Sequence, residues 1–193
     1  MNDEVQRAVE NGDTDALNAK IESGELQVEW YNASDADGQT PIMLAAKEGH
    51  LCVAELLVVQ GADVLAHDLD RYTALMLAAE NGYMAIAALL IAQRADVNAM
   101  NDGGQSTLML TAEKGHAAIA ELLLSERADV HAKDRDGGQS ALMMAAENNH
   151  STIAELLIAA GADIHAKDNY EQTALMIATE NGNSSVAELL IAQ

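Results

Sequence analysis

The residues of this chain best equipped for chemistry are six histidines, one cysteine and 31 carboxylates, so the first question is whether any of them converge. His50, His116 and His150 each follow a Gly or Asn, while His67, His131 and His165 fall in polar connections. A zinc ion needs its ligands at about 2 Å. Packed helices lie about 10 Å apart, so imidazoles carried one to a helix pair cannot share a metal, and a structural role is expected. Asp35-Ala36-Asp37-Gly38 has the opening rhythm of a calcium loop, but Ala46 stands where the bidentate Glu belongs, and a turn accounts for it. Cys52 is the only cysteine, which excludes an intramolecular disulfide and fits a reducing compartment; no flanking cation marks it as a reactive thiolate. No nucleophile elbow or phosphate-cradling glycine motif is present. The expectation is a chain that is not an enzyme and uses no metal or cofactor.

The carboxylates have a different order. Glu80, Glu113, Glu147 and Glu180 recur at steps of 33, 34 and 33 residues, with Lys47 one step earlier. The pairs Leu56-Leu57, Leu89-Leu90, Leu122-Leu123, Leu156-Leu157 and Leu189-Leu190 keep the same period, the signature of stacked repeats. Around them one phrase recurs, as in Gln39-Thr-Pro-Ile-Met-Leu-Ala-Ala-Lys-Glu-Gly-His50 and Tyr72-Thr-Ala-Leu-Met-Leu-Ala-Ala-Glu-Asn-Gly-Tyr83. Thr40, Thr73, Ser106, Ser140 and Thr173 can accept from the orphan N–H groups at a helix start, and Pro41 stands where a missing N–H costs nothing. Gly49, Gly82, Gly115, Asn149 and Gly182 tolerate the left-handed conformation that ends a helix. A second helix then carries each Leu pair, and Gly61-Ala-Asp-Val with its counterparts at Arg94, Arg127 and Gly161 leads into Asp- and Gly-rich turns.

This pattern resembles the ankyrin repeat, whose phrase is Thr-Pro-Leu-His-x-Ala-Ala, then Gly-His, a Leu pair and Gly-Ala-Asp-x-Asn-Ala. The resemblance covers residues 35 to 193 in five units, and Ala8-Val-Glu-Asn-Gly12 and Leu17-Asn-Ala-Lys-Ile21 resemble a degenerate first unit. It implies an all-α repeat solenoid of paired antiparallel helices with projecting β-hairpin loops, whose hairpin tips and first helices line a concave groove. The expected organisation is one domain over 1–193, with a degenerate repeat at 1–34, repeats at 35–67, 68–100, 101–133 and 134–167, and an incomplete one at 168–193.

The departures from the family phrase carry their own expectations. Met43, Met76, Met109, Met143 and Met176 replace the family His, so the imidazole hydrogen bonds are expected to be lost and a thioether to pack in their place. Arg94 and Arg127 stand where neighbours have Gly, which requires either a positive φ at a cost of about 1 kcal/mol or a different turn. About four extra residues between Gly24 and Thr40 hold Trp30 and Tyr31, read here as a lid on the first repeat or as anchors on the groove edge. One extra residue falls between Asp129 and Ser140. The last helix, Val186 to Gln193, has the composition of an interior helix, and its open side is expected to lack cover.

A formal net charge of -21 repels nucleic acid and anionic membranes and attracts basic partners. Residues 1 to 13 have neither a basic nor an apolar leader segment, and no stretch reaches bilayer length. A cytoplasmic monomer is expected, with the nucleus as the alternative location. Asn32-Ala-Ser, Asn149-His-Ser and Asn183-Ser-Ser are then chance sequons.

By the family layout the groove takes Glu80, Glu113, Glu147 and Glu180 together with Glu48, Asn81, Lys114, Asn148 and Asn181 from helix ends. Asp37, Gln39, Asp70, Tyr72, Asp102, Gln105, Asp136, Gln139, Tyr170 and Glu171 come from hairpin tips, with Trp30 and Tyr31 as rim aromatics. Charges about 10 Å apart in water repel by only about 0.4 kcal/mol, so such a ladder is tolerated by the fold and gives no strongly shifted catalytic carboxyl. The implied function is a protein-binding adaptor or scaffold for a basic or mixed-charge partner. The alternative is a stoichiometric inhibitor that blocks the positive cleft of an enzyme such as a nuclease or kinase.

Overall fold

A computed structural model describes residues 3–26 and 28–193; Met1, Asn2 and Gln27 lie outside the described residues. The chain divides into two compact units, 1–96 and 97–193. The first holds α1 (Asp3–Glu10), α2 (Thr14–Glu22), a 3₁₀ turn (Val28–Asn32), α3 (Pro41–Glu48), α4 (Leu51–Val59), α5 (Ala74–Glu80) and α6 (Met84–Ala92). The second holds α7 (Thr107–Lys114), α8 (Ala117–Ser125), α9 (Ala141–Glu147), α10 (Ser151–Ala159), α11 (Ala174–Glu180) and α12 (Ser184–Ile191). In the first unit α3 packs between α1 and α5, and α4 contacts both α2 and α6. In the second, α9 packs between α7 and α11, and α10 between α8 and α12. Each unit is therefore a short all-α solenoid with an inner row of first helices and an outer row of second helices.

Local chemistry sets the helix ends. Thr73, Ser106, Ser140 and Thr173 have extended backbone, and each hydroxyl oxygen accepts from the N–H three residues on, at 3.3 to 3.4 Å. Thr40 differs: its buried hydroxyl has no partner, and the Met43 N–H that it would accept donates to the Thr40 carbonyl at 3.0 Å instead. First helices stop where Gly49, Gly82, Gly115, Asn149 and Gly182 take φ between 59° and 87°. Arg94 and Arg127 do adopt positive φ, 65° and 64°, as the shared turn demands. Arg71 and Glu171 also take a φ of 63° on hairpin tips, where the corresponding residues are Gly38, Gly104 and Gly138.

The methionine substitution turns out differently from the sequence expectation. Met43, Met109 and Met143 place Sδ at 3.4, 3.4 and 3.5 Å from the backbone N–H of Thr40, Ser106 and Ser140. The thioether thus accepts the cap N–H itself. A sulfur acceptor is weaker than an imidazole nitrogen, but a buried donor is spared the cost of standing unpaired. Met43, Met76 and Met109 are fully buried and Met143 almost so, whereas Met176 on α11 is 49% exposed because no described element covers that face.

The implied hairpins are reduced to single antiparallel bridges, His67 to Thr73, Met100 to Ser106 and Lys133 to Ser140. No strand forms among the described residues. Side chains hold the tips instead. The Oδ1 atoms of Asp35, Asp68, Asn101, Asp134 and Asp168 each accept one or two N–H groups across their own turn, at 2.7 to 3.0 Å. Adjacent tips are joined by Leu69 N–H to Asp37 O, Arg135 N–H to Gly103 O and Asn169 N–H to Gly137 O.

The insertion folds back. Its 3₁₀ turn packs on α3, Tyr31 is 3% exposed, and Trp30 is half-buried with its ring edge-on to Tyr31 at 5.6 Å. Burial pushes the Tyr31 hydroxyl pKa up. Asn32 closes the segment by accepting from Asp63 N–H at 2.8 Å, the bond that Asn98 makes with Asp129 in the second unit.

Candidate protein-binding surface

The fold engages many polar residues, and subtracting these shows what is left to bind with. His50 and His150 set Nε2 at 2.8 and 3.1 Å from the carbonyls of Glu10 and Glu113 in the preceding repeat. A Cβ at Gly115 would stand 2.6 Å from the His150 ring, so that glycine is needed for the contact as well as for its turn. At the corresponding place in the last repeat Asn183 donates to Ala146 O and Glu147 O. These side chains join repeats. The second histidine set does not occupy one repeat position: His67 precedes Asp68 directly, while His131 and His165 follow Asp129 and Asp163 by two residues. No group of three or more His, Cys, Asp or Glu among the described residues is arranged to hold a metal.

The acidic residues divide into two classes. Asp35, Asp68, Asp134 and Asp168 are turned into their loops, and Asp63, Asp129 and Asp163 accept backbone N–H groups two residues on. Asp37, Asp70, Asp102 and Asp136 are exposed on the tips beside them. At the helix ends Glu48, Glu147 and Glu180 are exposed, and Glu80 and Glu113 are half-buried. Gln172 Nε2 donates to Glu180 Oε2 at 2.8 Å, so in the second unit the hairpin base and the end of α11 share one face. Lys114 Nζ lies 2.9 Å from Glu113, and Lys167 Nζ 2.7 Å from Glu171. Both are exposed neighbours on the surface, worth a fraction of a kcal/mol each in water.

The remaining predicted residues sort by exposure. Lys114, Glu171, Asn81, Asn148 and Asn181 are exposed, but each of the three asparagines donates to the carbonyl four residues back, at 2.9 Å, and so closes its own helix. Gln39, Tyr72, Gln105 and Gln139 are half-buried. Gln105 accepts from Asn101 at 3.1 Å, and Gln39 Nε2 lies 3.5 Å from Asp68 Oδ2. Tyr170 is 75% exposed, the most open aromatic among the described residues. Tyr31, by contrast, faces the core, and Trp30 is partly withdrawn with it. In the second unit the predicted face carries Asp102, Glu113, Asp136, Glu147, Glu171 and Glu180 against one lysine, Lys114. In the first it carries Asp37, Glu48, Asp70 and Glu80, with Lys47 at the position of the glutamate row one repeat before Glu80.

Sequence reasoning did not separate the loop-bound acids from those on the tips and helix ends. The signal was present, since each bound Asp or Asn opens a five- or six-residue turn that ends just before the cap Ser or Thr. No described helix is long and apolar enough to cross a membrane. No curated protein matches the chain. The family model described as ankyrin repeats (3 copies) matches three overlapping stretches, residues 5–101, 75–168 and 108–193. With that match and with paired helices capped and stopped at the repeated positions, the chain belongs to the ankyrin-repeat family.

Proposed function

We propose that this chain is a non-catalytic binding module that engages a basic or mixed-charge protein through the carboxylates of its first-helix ends and hairpin tips. Ankyrin repeats are in general protein–protein interaction modules. The observation that carries the finer reading is the division among the acids. One set is used up in turn hydrogen bonds, while a second set, Asp37, Asp70, Asp102, Asp136, Glu147 and their neighbours, recurs without a repeated role in the fold. Within each unit a repeated exposed acidic row concentrates negative potential and raises the encounter rate with a cationic partner. Tyr170, open beside Glu171, is the aromatic best placed to add a desolvated contact. The reading takes the chain as a monomer of the cytoplasm or nucleus.

Capture from the native source followed by mass spectrometry identifies the partner, and titration of the purified pair against salt tests the reading. Affinity should fall about tenfold or more between about 50 and 200 mM salt, because screening over a Debye length of about 10 Å weakens exposed charge pairs. Affinity independent of salt would remove the acidic row from the account. If the captured protein is an enzyme, loss of its activity on mixing separates an inhibitor from an adaptor.

A further inference from the structure

A second surface lies on the outer faces of α4 and α6, away from the acidic row. Every second helix from α4 onward presents an outward quartet at equivalent positions: Cys52, Glu55, Leu56 and Val59 on α4, and Ala85, Ala88, Leu89 and Ala92 on α6. The third and fourth repeats and the last one carry Glu121, Glu155 and Glu188 where α6 has Ala88. With this exchange α6, Met-Ala-Ile-Ala-Ala-Leu-Leu-Ile-Ala, has no charged residue and is apolar on all sides. A helix apolar all round is ordinarily covered on all sides. Here the inward residues Ile86, Ala87 and Leu90 are buried, yet Ala85, Ala88, Leu89 and Ala92 remain open or half-open, with Met84 38% exposed. On the adjoining α4, Val59 is 79% exposed, and Glu55 is the one charge in its outward quartet.

We propose that the α4/α6 outer face docks an amphipathic helix of a second protein, its apolar stripe on Met84, Ala88, Leu89 and Val59 and its flanks basic. Size and charge select that occupant. Two nine-residue helices about 13 Å long, side by side at 8 to 10 Å, offer about 300 Å². A stable dimer of this chain needs about 800 Å² from each copy. Glu55 is the one charge within the patch and residues 1–96 carry 17 acids against five Lys and Arg, so a second copy meets net like charge, whereas a helix with Lys or Arg beside its apolar stripe meets complementary charge. The small side chains of α6 let a helix lie close against it, the mode in which one apolar helix face is read by its partner. The proposal uses a different face from the acidic row and stands or falls separately.

The full chain and an 18-residue amphipathic Leu/Lys peptide test it. Cys52 is exposed within the patch and is the sole thiol, so its rate of alkylation by iodoacetamide reports cover. The peptide should slow that alkylation at least fivefold. Ala88→Glu restores the residue carried by the other second helices and therefore keeps the fold. It should weaken peptide binding at least tenfold, even though it adds a charge that attracts lysine. Glu113→Lys with Glu147→Lys should leave the protection of Cys52 in place. Unchanged or tighter binding to Ala88→Glu, or full Cys52 reactivity with peptide bound, overturns the proposal. Concentration-dependent protection of Cys52 without peptide would assign the face to a second copy. Sedimentation with phosphatidylcholine vesicles that Ala88→Glu abolishes would assign it to a lipid surface, and either result also overturns the helix.

Discussion

The first helices carry two rows four residues apart on the same helix face, methionine near the start and glutamate at the end, and the rows behave in opposite ways. Met43, Met76, Met109 and Met143 are buried, three of them with sulfur on a cap N–H, whereas Glu80, Glu113, Glu147 and Glu180 reach water in whole or in part. Packing dictates the first row. A residue there must fill a closed site and answer a buried donor, which a flexible thioether can do. Nothing in the packing dictates the second, since the fold accepts Lys47 at the same position. A residue type that recurs where the fold is indifferent to it is where function is to be sought. The row of methionines is also informative at Met176, which occupies the same position with no described element over it and stands half open.

Substitution within the methionine row gives the largest effect. Met109→Ala should cost about 2 to 5 kcal/mol by leaving a cavity, and Met176→Ala less than about 1 kcal/mol, since its site is already partly solvated. Chemical denaturation of both variants measures the contrast, and equal losses would mean that the two positions are not distinguished by cover. Ser106→Ala removes the hydroxyl from the same cap while the Met109 sulfur stays, and should cost about 1 kcal/mol. A loss near zero would show that the Met109 N–H does not depend on the hydroxyl. Arg127→Gly relieves a positive φ on a bulky residue and should add about 1 kcal/mol of stability, visible as a raised melting temperature. A fall in melting temperature would show that the Arg127 side chain offsets its own strain.

The parts of this fold that depend on one-residue chemistry were legible in the sequence. Hydroxyl caps, left-handed glycine stops and the Leu-pair helices all follow from local backbone demands, and the positive φ at Arg94 and Arg127 was one of two turns their positions allowed. What escaped depends on partners distant in sequence or on competition between side chains. The sulfur on the cap N–H was missed because thioethers are weak acceptors and packing alone explained a methionine. The strained Arg71 and Glu171 were missed because the hairpin tips vary in residue type while keeping one backbone path. Trp30 and Tyr31 could be read as lid or anchor, with the need to cover a terminal repeat favouring the lid, and the course of the 3₁₀ turn is what turns Tyr31 inward. At the candidate surface, the positions of the acids were readable from the period. Asn81, Asn148 and Asn181 were not recognised as closing their own helices.

The central claim is that position, and not acidity as such, makes the glutamate row a recognition surface. Its most direct test compares two double charge reversals of equal net charge, Glu113→Lys with Glu147→Lys and Glu121→Lys with Glu155→Lys, the latter on the outer faces of α8 and α10. All four residues are at least partly open to solvent, so both proteins should keep their stability within about 1 kcal/mol. Titration of the identified partner should then show at least about a tenfold loss for the first pair, more than 1.4 kcal/mol, and little change for the second. Equal losses from the two pairs would contradict the account and leave the acidity as a property of the whole surface.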